Sequence, residues 1–332
     1  MKAVIITENS VQAERVFDKE IREKLNARYE LCPTMLCRKN FERHMDFLKS
    51  AEYIFATWGF GKYSEEEIKK YFPNVKCVFY AAGSVQEFAK EFIECGIRVF
   101  SGWQANAIPV AEYTYAQILL AAKGFYRAER KARWLFYPAA HYSDHCGGNY
   151  RVKVGIIGVG SIGKLVAERL KSNDAQVFYY DPFLSAETAK TLNIIPASLD
   201  EIFSECDVIT NHLANKEELT GILSGKLFSK MKPYATFINT GRGRQVDEKG
   251  LVKAMKKVKT RTALLDVTSK EPLPMFGKLA RCRNIIVTPH IAGSNGREVV
   301  RMAEYMLEEA IRLENNEKPF YEVNSDMLKT MA

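Results

Sequence analysis

Residues 152–170 read VKVGIIGVGSIGKLVAERL, and the fold on either side follows from that stretch. A β-branched run ends at Gly158, three glycines stand at the spacing GxGxxG, and an amphipathic helical pattern follows at once. Each glycine answers a different physical demand: Gly158 permits a tight turn, Gly160 lets the backbone approach a pyrophosphate, and Gly163 lets the helix pack against its strand. The amides of Ser161 and Ile162, at the positive end of the helix dipole, are the expected phosphate donors. The next strand pattern, VFYYD, ends in Asp181, with seventeen residues between it and Gly163. A carboxylate there accepts the hydroxyls of an adenosine ribose and repels a 2′-phosphate. No arginine follows in DPFLSAETAK (181–190) to neutralise it, so the expected cofactor is NAD rather than NADP.

Outward from this unit, short β-branched and aromatic runs alternate with helical patterns, the signature of parallel βαβ units. One series is AVIIT (3–7), YELCP (29–33), YIFAT (53–57), CVFYAA (77–82) and IRVFS (97–101). A second is KVGIIG (153–158), VFYYD (177–181), DVITNHL (207–213), ATFINT (235–240), TALLDV (262–267) and NIIVTP (284–289). The expected class is therefore α/β, with two doubly wound parallel-sheet domains. Between the series an apolar helix is expected from about Pro109 to Trp134, then a polar stretch over 137–150; Phe125, Trp134 and Phe136 read as core or interdomain packing. The last helical pattern, within 296–316, puts Val299, Met302, Met306, Ala310 and Leu313 on one face. Its place after the last strand lets it cross back to the first domain.

The chain has 332 residues, 47% hydrophobic and 27% charged, a globular composition long enough for two cores. It shows neither a secretory leader nor an apolar run of membrane-spanning length, so no membrane association is expected. The seven cysteines are odd in number and scattered without a CxxC pair, which fits a reducing, cytoplasmic setting and suggests no metal site. His44, His141 and His145 are given no role. The net charge of +8 is spread among interleaved acids and bases rather than in a basic block, so no nucleic-acid partner is expected.

Ligands of open α/β sheets bind outside the carboxyl ends of the strands. At such ends stand Arg242 after ATFINTG, Asp266 and Glu271 in and after TALLDV, and His290 after NIIVTP. His212, ending another strand, is a candidate to line the adenine side of the cleft. The segments INTGRGRQVDEKGL (238–251), LLDVTSKEPLP (264–274) and NIIVTPHIAGS (284–294), in order after GIIGVGSIG, resemble the D-isomer-specific 2-hydroxyacid dehydrogenases, which include phosphoglycerate, glycerate and D-lactate dehydrogenases. The resemblance covers nearly the whole chain.

That resemblance implies a Rossmann NAD-binding domain, 108–293, inserted into a flavodoxin-like substrate domain made of 1–107 and 294–332. It implies hydride transfer between NAD(H) and C2 of a small (R)-2-hydroxy acid or 2-oxo acid. Arg242 would grip the substrate carboxylate and carbonyl, His290 would be the general acid/base, and Glu271 would hold the other imidazole nitrogen. Asp266 would contact the nicotinamide side of the cofactor, beside the Thr240 and Gly241 backbone. Gly83 and Ser84, in AAGSVQEF (81–88), fall where relatives supply backbone amides to the substrate carboxylate. Most relatives then carry an acid and an amide, where this chain has Val85 and Gln86. Trp103, in the segment leading to the second domain, is read as a pocket wall or a packed junction residue. Closure on hinges near Asn106 to Pro109 and Gly293 to Gly296 is expected, and the family's habit implies a homodimer. The alternative is an NAD(H)-sensing, corepressor-like interaction protein. Formate dehydrogenases, with glutamine at the position of Glu271, and phosphite oxidation stand behind it.

Overall fold

The computed structural model describes residues 1–274 and 276–328. The chain divides into two compact units, one made of Met1–Asn106 and the described part of Ser294–Ala332, the other of Ala107–Gly293. The expected substrate domain extends to residue 332, and its last four residues lie outside the described ones.

In the first unit the strands are β1 (Lys2–Ile6), β2 (Glu30–Leu31), β3 (Tyr53–Ala56), β4 (Cys77–Tyr80) and β5 (Arg98–Ser101), all parallel in the order 2-1-3-4-5. Helices cover both faces, so the strands carry buried side chains on both sides and read as continuous apolar runs. Phe55 pairs in register with Phe79, and Phe79 with Phe100; these rings stack across the sheet at 5.1 and 5.0 Å.

The second unit has seven parallel strands: β6 (Lys153–Ile157), β7 (Gln176–Tyr180), β8 (Ile195–Pro196), β9 (Val208–Asn211), β10 (Thr236–Asn239), β11 (Thr262–Leu265) and β12 (Ile285–Val287). Their order, 12-11-10-9-6-7-8, reverses between β6 and β9, beside the glycine-rich turn. That is the doubly wound Rossmann order, and the first unit has the flavodoxin order. The fold class is as the sequence leads one to expect. It missed β8, only two residues long, and β13 (Glu322–Val323), an antiparallel edge strand on β5 held by Arg98, which makes two 2.7 Å hydrogen bonds to Glu322. Strands this short carry no periodicity to read.

The closing helix Glu298–Glu314 belongs to the first unit and buries Val299, Met302, Met306 and Ala310 against its sheet, as expected, although Leu313 is only partly covered. Asn106 Oδ1 accepts the Ser294 amide at 3.0 Å, so the two chain segments at the boundary are clipped together by one side chain.

Three expectations for the middle of the chain are corrected. The helix expected from Pro109 to Trp134 instead spans Trp103–Ala122 and stops at Gly124, whose φ of 68° is a left-handed conformation open to glycine. A second helix, Phe125–Ala132, follows. The polar stretch over 137–150 holds the helix Phe136–Asp144, with Pro138 in its first turn, where the missing N–H costs nothing. Finally, Phe125, Trp134 and Phe136 are not core: they are 44, 87 and 69% exposed. Among the described residues no helix is long and apolar enough to cross a membrane.

Candidate functional site

All the sequence-derived candidates of the second unit lie at the carboxyl ends of its parallel strands, and so along one edge of one sheet. At the end of β6, Gly158 has φ 84°, and a Cβ there would stand 2.8 Å from the His212 carbonyl oxygen. A Cβ on Gly163 would meet the Gly158 carbonyl oxygen at 2.2 Å, so only glycine lets the helix Ser161–Leu170 seat on its strand. Gly160 is different: a Cβ there would meet nothing within 4 Å. Its bareness leaves space for a ligand rather than for protein. No side chain caps this helix, so the amides around Ser161 and Ile162 keep their donors for an anion. Asp181, at the end of β7, accepts from the Val159 and Phe183 amides at 2.7 and 2.8 Å, which orients its carboxylate beside the turn. A dinucleotide fits this surface: open backbone for the pyrophosphate, and an oriented acid one strand away for the ribose.

His212 lies at the end of β9 and is buried. Its Nε2 meets the Thr210 hydroxyl at 3.0 Å and its Nδ1 the Thr240 hydroxyl at 3.3 Å. Burial pushes its pKa down to about 3, so the ring is neutral. Both nitrogens are thus occupied by protein hydroxyls, and what His212 presents to the glycine turn is its backbone carbonyl. Thr240 also meets the Thr114 hydroxyl at 3.2 Å.

Arg242 follows β10, and its Nη1 donates to the Gly241 carbonyl at 2.9 Å. Desolvation draws its pKa downward and the charge of Glu271 opposes this, the signature of a guanidinium held in a partly dry place near an acid. Beneath it lies a network that sequence reading missed. Asn211, Asn239 and Gln245 are fully buried. Asn211 Nδ2 donates to Asn239 Oδ1 (2.9 Å) and Gln245 Oε1 (2.8 Å), Asn239 Nδ2 donates to the Arg242 carbonyl (3.3 Å), and Gln245 Oε1 also accepts the Arg242 amide (3.2 Å). Gln245 Nε2 donates to the carbonyls of Leu213 and Ala214, tying the Arg242 loop to the one after β9. The signal was available, since amides inside otherwise apolar strand ends must find partners when buried.

Asp266, buried at the end of β11, accepts from the Thr288 hydroxyl (2.6 Å) and the amides of Ile291 (2.9 Å) and Ala292 (2.9 Å). Its carbonyl accepts the His290 amide at 3.0 Å. His290 has φ 55°, a left-handed conformation unfavourable for a residue with a Cβ, and these four bonds hold the turn in it. The structure therefore gives Asp266 a positioning job that sequence reading had not seen. His290 Nδ1 lies 2.8 Å from Glu271 Oε2, while Glu271 Oε1 accepts the Thr268 amide at 3.2 Å. The Glu271 loop is anchored by Glu248, which accepts from the Ser269 amide and hydroxyl at 2.6 and 2.8 Å. A Cβ on Gly243 would fall 1.9 Å from the Thr268 carbonyl carbon, so the Arg242 and Glu271 loops meet backbone to backbone.

In the first unit, the amides of Gly83 and Ser84 have no protein acceptor among the described residues. Val85, where relatives carry an acid, is buried in that unit's core, and Gln86 donates to the Leu328 carbonyl at 2.7 Å. Trp103 packs edge-on to Tyr321 at 5.9 Å. All seven cysteines are free thiols.

Residues 115–292 match the family described as D-isomer specific 2-hydroxyacid dehydrogenase, NAD binding domain. A glyoxylate reductase of Korarchaeum cryptofilum is 30% identical over 268 residues, 80% of this chain and 81% of that protein. A D-3-phosphoglycerate dehydrogenase of Archaeoglobus fulgidus is 32% identical over 219 residues, 66% of this chain but only 41% of that protein. In fold, the NAD-complexed D-isomer-specific 2-hydroxyacid dehydrogenase of Lactobacillus delbrueckii ssp. bulgaricus superposes with a TM-score of 0.77 at 19% identity, covering 98% of this chain and 100% of that one. The chain belongs to the D-isomer-specific 2-hydroxyacid dehydrogenase family. It is an NAD-dependent oxidoreductase of that family, with NAD as its cofactor.

Proposed function

We propose that this enzyme interconverts a small 2-oxo acid and the (R)-2-hydroxy acid, with His290, Glu271 and Arg242 as its working side chains. The observation that carries the assignment is the 2.8 Å contact between His290 Nδ1 and Glu271 Oε2 on a half-exposed imidazole, which leaves Nε2 as the nitrogen free to exchange a proton with substrate. Bound NADH supplies the hydride to C2. In the reducing direction His290 gives its Nε2 proton to the carbonyl oxygen, and Glu271 stabilises the imidazolium before and the tautomer after. Among the described residues the Arg242 guanidinium bonds only to the Gly241 carbonyl, and a planar guanidinium can hold carboxylate and carbonyl oxygens together. Gly83 and Ser84, whose amides have no protein acceptor among the described residues, are proposed as backbone donors to a substrate carboxylate. Ser161, Ile162 and the bare Gly160 would hold the pyrophosphate and Asp181 the ribose; Thr240, Gly241 and Asp266 would frame the nicotinamide side through their backbone and through the turn they support, and His212, whose carbonyl faces the glycine turn, would line the adenine side.

The substrate is proposed as an unphosphorylated or phosphorylated small acid such as glyoxylate, hydroxypyruvate, pyruvate or 3-phosphohydroxypyruvate. The test is NADH oxidation against that panel, extended by 2-oxobutyrate and phenylpyruvate and repeated with NADPH. Reduction of one or two acids, with NADPH inferior, is the expected result. NADH binding without reduction of any 2-oxo acid would overturn the proposal in favour of an NAD(H) sensor, a reading no specific observation favours.

We also propose that two copies associate through the second unit. Trp134, Leu135, Phe136 and Tyr137 are consecutive and 57–87% exposed, an apolar patch of the kind that marks a protein interface.

A further inference from the structure

His141 and His145 take no part in the dehydrogenase chemistry argued above, yet they are arranged for chemistry of their own. They stand at i and i+4 on the helix Phe136–Asp144 and its C-terminal cap residue, the spacing that brings two imidazoles to one helix face. Both are exposed, and their Nε2 atoms lie 3.3 Å apart. Two nitrogens bound to one tetrahedral zinc ion at the usual bond length are separated by about 3.3 to 3.4 Å. The rings meet at 77° rather than stacking, with centroids 4.8 Å apart.

Two neighbours support the pair as ligands. The second nitrogen of His141, Nδ1, lies 3.6 Å from the Asp144 carboxylate, too long for a hydrogen bond but close enough for the acid's charge to favour a cation at the ring. His145 packs against the ring of Tyr234 at 5.2 Å and 33°, which restricts its plane. Cys146, next along, is a poor third ligand: it is half-buried, its Sγ faces the Tyr142 carbonyl at 3.7 Å, and burial pushes its thiol pKa up. Among the described residues no group of three or more His, Cys, Asp or Glu side chains converges on one point.

We propose that His141 and His145 form a two-nitrogen chelate for a divalent transition-metal cation of the zinc class, with water completing the coordination. Imidazole nitrogens select Zn²⁺, Ni²⁺ and Cu²⁺ over Mg²⁺ and Ca²⁺, which take oxygen ligands.

The test is titration of Zn²⁺ alone into untagged, chelator-treated protein, read by calorimetry, for the parent and for His141→Ala, His145→Ala and Cys146→Ser. The expected result is one equivalent bound by the parent and by Cys146→Ser, with either histidine variant weaker by about 100-fold through loss of the second tooth. Both histidines are exposed, so these variants should still bind NADH, and that measurement verifies their fold. Zn²⁺ binding of equal strength in the parent and both histidine variants, no binding by the parent, or loss of binding in Cys146→Ser would each overturn the proposal.

Discussion

His290 holds a left-handed backbone conformation that a residue with a Cβ avoids, and four hydrogen bonds involving Asp266 maintain it. Backbone kept against its preference at a strand end, with its imidazole on an acid, is what motivates the proton role proposed for His290. If His290 moves the proton, His290→Asn should lower turnover by about 100-fold to 10,000-fold while NADH affinity, measured by fluorescence titration, stays within a few-fold. Unchanged turnover would remove the proton role. His212 makes the opposite kind of prediction, about stability. Its pKa falls from an ordinary 6.5 to about 3 on folding because of burial. Above pH 6.5 the ring is neutral in both states and contributes no pH dependence. Between roughly pH 6.5 and 3 the unfolded chain binds a proton that the folded one does not, so stability falls as pH falls, by up to about 1.4 kcal/mol per pH unit. His212→Asn should flatten the denaturant midpoint measured between pH 6.5 and 5 relative to the parent. An equally steep decline in the variant would mean that the linkage lies elsewhere.

The loops after β10 and β11 are set by their mutual packing more than by either strand. Gly243 allows them to touch, and the amides of Asn211, Asn239 and Gln245 lock the first of them from below. A Cβ at Gly243 must push the Thr268 backbone away and carry Glu271 with it. Gly243→Ala should therefore lower kcat/KM by about 100-fold, the effect of misplacing a catalytic group by about 1 Å, while NADH binding at the β6 turn persists. Gly160→Ala should do the reverse: its Cβ meets no protein atom, so the thermal midpoint should hold while NADH affinity drops. If Gly160→Ala bound NADH as the parent does, the pyrophosphate would not lie over this glycine.

At the scale of the molecule, the dimer surface proposed at residues 134–137 makes a prediction about assembly. Trp134→Ser with Phe136→Ser removes most of its apolar surface from positions 87 and 69% exposed, so the monomer's own core should be untouched. The expected outcome by light scattering is a dimeric parent and a variant shifted toward monomer with an unchanged unfolding profile of the monomer. A parent that is monomeric at micromolar concentration would exclude this surface as a stable interface.

The sequence by itself determined the alternation of strands and helices, the dinucleotide turn with its acid, and the placing of Arg242, Asp266, Glu271 and His290 at strand ends. These are local properties: buried parallel strands must be continuously apolar, and GxGxxG answers steric demands within one βαβ unit. Only the tertiary structure decided that Gly124 ends the helix begun at Trp103, that Phe136–Asp144 is helical, that Trp134 and Phe136 face outward, and that Asp266 supports the His290 turn. It also decided that His141 and His145 face one another and that three buried amides carry the Arg242 loop. Each of these depends on which atoms lie opposite a residue across the fold. Hydrophobic periodicity reports which face of an element is buried, but not what it is buried against.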